Sequence, residues 1–205
     1  MNYASDNYRI RIVDDDKALL QAMKLSLELD GWIVETYASA MSFLEQDDNE
    51  IPGCLILDYQ MPEINGIELQ QLLIDQGVTL PIIFLTAHAE VNVVIKAFKE
   101  GAYDFLLKPV DPDVLSNVII KSIEKNEEFK KNLEKATPLT LYSLLTDQQK
   151  QVARLVAQGL TCAVIGERLG KSRRTIERHR GNVMRQMKVS SPQQLRKLLQ
   201  DIQVC

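Results

Sequence analysis

The sequence predicts a doubly wound α/β domain with a five-stranded parallel sheet, followed by a small all-α domain of four helices. Three observations carry this. Short apolar runs alternate with segments of helical periodicity through the first 124 residues, the balance of charge changes sign near Thr137, and beyond it helical segments are punctuated by single glycines. Residues 1–136 hold 12 Lys and Arg against 24 Asp and Glu, a balance of −12, whereas residues 137–205 hold 12 against 4, a balance of +8. A compact basic segment reads as a polyanion binder, because each Lys or Arg that neutralises a phosphate releases condensed counterions. The acidic part would repel DNA and needs a chemistry of its own. These two characters predict a domain over 1–124, a charged helical linker over 125–140 and a second domain over 141–205.

The strands are expected at Tyr8–Val13, Ile33–Tyr37, Cys54–Leu57, Ile82–Leu85 and Asp104–Leu107, with helical stretches such as Leu19–Leu29, Gly66–Gln76 and Val91–Lys99 between them. The third and fourth runs are almost wholly apolar, as strands covered on both faces are. Parallel sheets of this kind bind ligands at the carboxyl ends of their strands. Those ends carry Asp14, Asp15 and Asp16 after the first strand, Asp58 after the third, Thr86 after the fourth, and Lys108 with Pro109 after the fifth. Taken singly each has an ordinary explanation: an aspartate that caps a helix, an aspartate that opens a turn, a solvated lysine before a proline. Taken together they put a carboxylate nucleophile, hard oxygen ligands for Mg²⁺, a point cation and a hydroxyl on one edge. That set suits phosphoryl transfer, which depends on positioning and charge neutralisation.

The segment from Asp111 turns highly charged (KSIEKNEEFKKNLEK) and reads as a last helix of the first domain running into a solvated linker, with a break at Pro138. In the basic part, Thr146 and Gln149 form a capping-box signature for a helix that Gly159 closes. A second helix starts near Thr161, with Val164, Ile165 and Leu169 expected inward, and stops at Gly170. A third runs from after Ser172 to about Met187, with Ile176, Val183 and Met187 on one face and Arg174, Glu177, Arg178, Gly181 and Arg185 on the other. Helix, tight glycine turn and basic helix together form a helix-turn-helix. Ser191 and Pro192 then fit the cap and first position of a fourth helix reaching about Leu199.

Composition excludes other classes. At 45% hydrophobic and 25% charged the chain is not of disordered type. No apolar run approaches the roughly 20 residues that span a bilayer, and MNYASDN lacks the basic-then-apolar pattern of a signal peptide. A cytoplasmic protein with no membrane partner is expected. Cys54, Cys162 and Cys205 are odd in number and far apart, with no CxxC pair, and read as reduced thiols without a chemical task.

The strings IVDDDK, LDYQMPEINGIEL, FLTAHAE and YDFLLKPV, in this order, resemble the receiver domain of two-component response regulators over roughly residues 8–124. That resemblance implies a flavodoxin-like (CheY-like) sheet on which Asp58 accepts a phosphoryl group from a sensor histidine kinase. Asp15 would bind Mg²⁺ (or Mn²⁺) directly, Asp14 through water, and the Gln60 carbonyl would complete the protein ligands beside Asp58. Lys108, ahead of a cis bond to Pro109, and Thr86 would hold the phosphoryl oxygens, with Thr86 and Phe105 forming the switch. Gln60 and His88 flank the site. The string LTDQQKQVARLVAQGLTCAVIGERLGKSRRTIERHRGNVMRQMKV is similar to the LuxR-type DNA-binding domain of the FixJ and NarL branch, over 144 to about 200. It implies that the helix from Arg173 to Lys188 lies in the major groove of promoter DNA. Glu177 and Arg178 would read base edges, Gly181 would let the backbone approach, and Arg173, Arg174, Thr175, Arg185 and Lys188 would meet phosphates. His179 lies close to the apolar stripe and is as well suited to packing. Cys162 and Arg178 stand where the family commonly has asparagine and valine.

By the same resemblance the protein is a transcription regulator and not an enzyme, catalysing only its own phosphorylation and dephosphorylation. It would homodimerise when phosphorylated, through Ile95, Lys99 and Asp104, and could meet RNA polymerase at the promoter. Two rivals make different demands. A haloacid-dehalogenase-like phosphatase needs a DxD motif with its nucleophile after the first strand, but YQM follows Asp58. A constitutive DNA binder with a degenerate receiver needs a missing acid, Thr or Lys, and none is missing.

Overall fold

A computed structural model of the chain describes residues 8–49, 51–87 and 91–204. The elements run β1 (Arg9–Val13), α1 (Lys17–Leu29), β2 (Ile33–Tyr37), α2 (Ala40–Gln46), β3 (Gly53–Leu57), α3 (Gly66–Asp75), β4 (Ile82–Thr86), α4 (Val91–Lys99), β5 (Asp104–Leu107) and α5 (Pro112–Glu134). Then come α6 (Pro138–Ser143), α7 (Asp147–Ala157), α8 (Cys162–Leu169), α9 (Arg173–Gln186) and α10 (Pro192–Asp201). The chain divides into two compact units, Met1–Ile74 with Val78–Phe129, and Asp75–Gly77 with Lys130–Cys205.

The first unit is a five-stranded, all-parallel sheet in the order β2-β1-β3-β4-β5. Every residue of β3 and β4 is buried, because helices cover both faces of the central strands. Successive residues point to opposite faces, so the strands feed two cores. Ile10, Ile12, Ile56 and Ile83 pack with Leu20 of α1 and Ile119 of α5. Val13, Leu55, Leu57 and Phe84 pack with Phe43 of α2 and Leu69 of α3. Each such side chain contributes roughly 1.5–3 kcal/mol by leaving water. The sequence reading named no helix at 40–46; Ser39 starts one there, its hydroxyl accepting from Ser42 N while Ser42 Oγ bonds the Ser39 backbone N–H.

The second unit has one core, built on Val152, Ile165, Ile176, Val183, Met187 and Leu195. The capping box of Thr146 and Gln149 opens α7 as expected, and Gly159 follows it with a φ of 86°. Gly170 ends α8 in the left-handed conformation, and Ser172 caps α9. Ser191 and Pro192 open α10. Two details differ from the sequence reading. Pro138 is not only a break: it is the first residue of the short helix α6, capped by Thr137, since proline lacks just the N–H that a first turn leaves unbonded. Val164 faces outward at 45% exposed, because Ile165 and Gly166 turn the inner face of α8 to the core.

Candidate phosphoryl-transfer edge and nucleic-acid interface

Backbone hydrogen bonds hold the loops of the acidic site against their neighbouring strands. Asp14 N donates to Tyr37 O at 3.1 Å, Asp58 N to Val13 O at 2.9 Å and Lys108 N to Thr86 O at 2.8 Å. The side chains that follow β1, β3 and β5, and Thr86 at the end of β4, therefore share the carboxyl edge of the sheet. Asp14, Asp58 and Thr86 are buried and Asp15 is exposed. One carboxylate oxygen from each of Asp14, Asp15 and Asp58 lies within 4.8 Å of the others. Lys108 Nζ donates to Asp14 Oδ2 and stands 3.2 Å from Asp58 Oδ1. The Lys108–Pro109 bond is cis, as the resemblance implied. Asp16 does something different from its two neighbours: its carboxylate caps α1, accepting from Ala18 N and Leu19 N.

Burial raises the Asp58 pKa, the Lys108 charge and hydrogen bond pull it down, and Asp14 and Asp15 push it up again; the balance is upward. For Lys108, burial works to lower the pKa, but the bond to Asp14 and the charges of Asp14 and Asp58 outweigh it and raise the value. Three carboxylates against one ammonium leave this edge short of positive charge. Clustered hard oxygen donors in that condition fit a divalent metal ion.

Gln60 is exposed in the loop that leaves Asp58. Phe105 is half-buried on β5 and stacks on Phe84 with ring centroids 5.7 Å apart. His88 lies outside the described residues. The sequence reading missed Gly66: a Cβ there would sit 2.4 Å from Asp58 O and 2.8 Å from Phe84 Cε1, so only glycine lets α3 start this close beneath the acidic loop. The signal was present in the Asn65-Gly66 pair, where a turn meets a helix start.

On α9, Arg173, Arg174, Glu177, Gly181 and Arg185 are exposed, Thr175 and Arg178 are half-buried, and Ile176 and Val183 face the core. Arg173 Nε donates to Glu177 Oε1 at 2.7 Å, so the expected base reader holds an arginine expected at phosphate. The Thr175 hydroxyl sits 2.8 Å from Ser172 Oγ. His179 is buried and its pKa is lowered, first of all by burial, which favours packing as a neutral ring. Lys188 is exposed but engaged: its ammonium donates to Leu133 O at 2.9 Å and Glu134 O at 3.0 Å. Arg180 Nη1, not an expected DNA residue, approaches Cys162 Sγ at 3.8 Å.

Residues 10–120 match the response regulator receiver domain, and residues 143–199 match the luxR family of bacterial regulatory proteins. The chain belongs to the response regulators. It is 36% identical over 187 residues to the response regulator protein TmoT of Ectopseudomonas mendocina, covering 91% of this chain and 85% of that one. It is 32% identical to the transcriptional regulatory protein FixJ of Rhizobium meliloti, covering 90% and 91%. The solved structure of the response regulator StyR superposes with a TM-score of 0.59 at 34% identity, covering 95% of this chain and 99% of that one. As a response regulator with a LuxR-type DNA-binding domain, the protein is a transcription regulator whose two domains imply a sensor kinase and DNA as partners. Among the described residues no helix is long and apolar enough to cross a membrane.

Proposed function

We propose that this response regulator switches a promoter by accepting a phosphoryl group on Asp58. The observation that carries the reading is the gathering of Asp14, Asp15 and Asp58 within 4.8 Å, with Lys108 against Asp58. Asp14, Asp15, Asp58 and the Gln60 carbonyl would hold Mg²⁺ (or Mn²⁺), which when bound supplies charge neutralisation at the transferring group. An Asp58 carboxylate oxygen attacks the phosphorus of the kinase phosphohistidine; the P–N bond breaks, the nitrogen is protonated, and an acyl phosphate forms. Lys108 supplies a fixed cation to the phosphoryl oxygens and Thr86 a hydroxyl donor. Hydrolysis of the acyl phosphate by water resets the switch, so the protein acts only on itself.

Thr86 and Phe105 carry the change to the surface of α4 and β5. Ile95 is 47% exposed on α4, Lys99 is exposed and Asp104 is half-buried, its Oδ1 accepting from Phe105 N. Val91 and Phe98 are also exposed on α4, and such apolar surface favours a homodimer through this face. Two copies present two α9 helices to a twofold-symmetric promoter site. There Glu177 and Arg178 read bases, Gly181 lies against the DNA, and Arg173, Arg174, Thr175 and Arg185 meet phosphates, with RNA polymerase as the downstream partner. We assign the receiver to 1–124, the linker to 125–140 and the DNA-binding domain to 141–205, in a cytoplasmic protein.

The test incubates the protein and an Asp58→Asn variant with a small phosphodonor and Mg²⁺, reading incorporation by mass and assembly by light scattering. Incorporation and dimer formation are expected in the unaltered protein alone. Incorporation independent of Asp58, or none, leaves an unregulated DNA binder.

A further inference from the structure

Among the described residues, α1, α3, α4, α7 and α8 are followed by a glycine of positive φ: Gly31, Gly77, Gly101, Gly159 and Gly170. Helices α9 and α10 are followed instead by Lys188 and Gln203, with φ of 55° and 56°, in a conformation that a Cβ disfavours, and of the two Lys188 carries a side chain bonded to another helix. The turn itself is the ordinary helix stop, with Lys188 N donating to Arg185 O and Val189 N to Met184 O. Glycine would make those two bonds without steric cost, so the lysine side chain is where a reason for this residue lies.

That side chain reaches the last turn of α5. Its ammonium donates to Leu133 O, which also accepts from Ala136 N just past the helix, and to Glu134 O, carbonyls of the last turn at the negative end of the helix dipole. Leu133 and Ala136 pack against the same core as Ile176, Val183 and Met187. Helix α5 is continuous over 23 residues, and its earlier residues Leu115, Ile119 and Ile123 lie in the receiver core. The charged linker therefore ends as a helix terminus tied to the end of the recognition helix.

We propose that Lys188 is a positioning residue, a latch between the C-terminus of α5 and the C-terminus of α9, and not one of the phosphate contacts. It sets how the end of the receiver's last helix bears on α9. This rests on α9 being the recognition helix and, for its regulatory consequence, on phosphorylation of Asp58.

Full-length Lys188→Met, Lys188→Arg and Lys188→Gly proteins separate the two roles. In the Met and Gly variants, amide exchange in the last turn of α5 becomes faster, and the Arg variant restores it. Glycine relaxes the turn while removing the latch, which guards against a misfolded variant. Binding to a mixed-sequence DNA duplex is then titrated with salt. A lost phosphate contact lowers the slope of log affinity against log salt by about 0.9; a lost latch leaves it unchanged. The gain in DNA affinity on treatment with a phosphodonor falls by about fivefold in the Met variant, at the lower end of typical coupling between sites. A slope lower by about one unit, unaltered exchange, or an undiminished gain overturns the proposal. If the unaltered protein itself shows no gain, the phosphorylation reading fails, and slope and exchange still decide between latch and phosphate contact.

Discussion

Asp14 and Lys108, bonded to each other, stand 94 positions apart in the chain, while the basic face of α9 lies within 14 consecutive residues. The acidic site exists only where a parallel sheet has brought separate strand ends to one edge. The basic surface of α9 needs only helical periodicity and a core to hold one side of it. The two surfaces should therefore fail differently: the first through changes deep in the fold, the second through changes on its exposed side.

The largest effect is expected at Arg11, which faces none of the functional atoms. It is fully buried on β1, with its guanidinium bonded to both carboxylate oxygens of Asp47 and to the carbonyls of Arg9, Asp48 and Ile51. The Tyr37 hydroxyl donates to Asp47 as well. Arg11→Met leaves the buried Asp47 carboxylate without its cation and takes a donor away from three carbonyls, a change that costs about 3–5 kcal/mol. Urea unfolding followed on the receiver should show that loss, and phosphoryl incorporation should fall with it. Arg174→Met on the exposed face of α9 should stay within about 0.5 kcal/mol of the unaltered protein. Equal losses from the two substitutions would break the comparison.

The same contrast explains what the sequence discloses. Short apolar runs between helical segments make β1 to β5 legible, and the strand-end rule then places Asp14, Asp58, Thr86 and Lys108 on one edge from the sequence alone. Glycine punctuation and side-chain caps make α7 to α10 equally plain. Arg11 is not legible, because its partner Asp47 is 36 residues away and nothing in RIRIV marks the arginine as interior. Val164 and Ile165 are adjacent β-branched residues that cannot both face one core, and nothing in the sequence says that Ile165 is the one that does. Lys188 reads as one more cation on a basic helix; only the position of the α5 carbonyls distinguishes a latch from a phosphate contact.

Two glycines carry the comparison to an intermediate scale. Gly66→Ala would drive a methyl to within 2.4 Å of Asp58 O, and Gly166→Ala would drive one to within 2.7 Å of Lys171 O in the turn of the helix-turn-helix. Both meet backbone, which cannot step aside as a flexible side chain can, so each should cost about 1–3 kcal/mol. Their functional signatures should separate. Gly66→Ala displaces the acidic loop and slows phosphoryl incorporation with DNA binding intact, whereas Gly166→Ala weakens DNA binding and leaves incorporation at its original rate. A variant that loses both activities at full stability would show that the two surfaces are not independently built.

Gly181 gives a small effect of the opposite sign. It stands exposed inside α9, and a Cβ there would meet nothing within 4 Å, so the fold itself supplies no reason for glycine. Gly181→Ala should stabilise the helical domain by about 0.5–1 kcal/mol, since alanine loses less backbone freedom in a helix. If the backbone at this point approaches DNA closely, the methyl that helps the free protein stands between α9 and the groove. Thermal melting and titration of the same sample with duplex DNA then move in opposite directions, the midpoint rising as affinity falls. Higher stability with unchanged affinity would assign Gly181 to plain surface and confine the DNA contact to the charged side chains on either side of it.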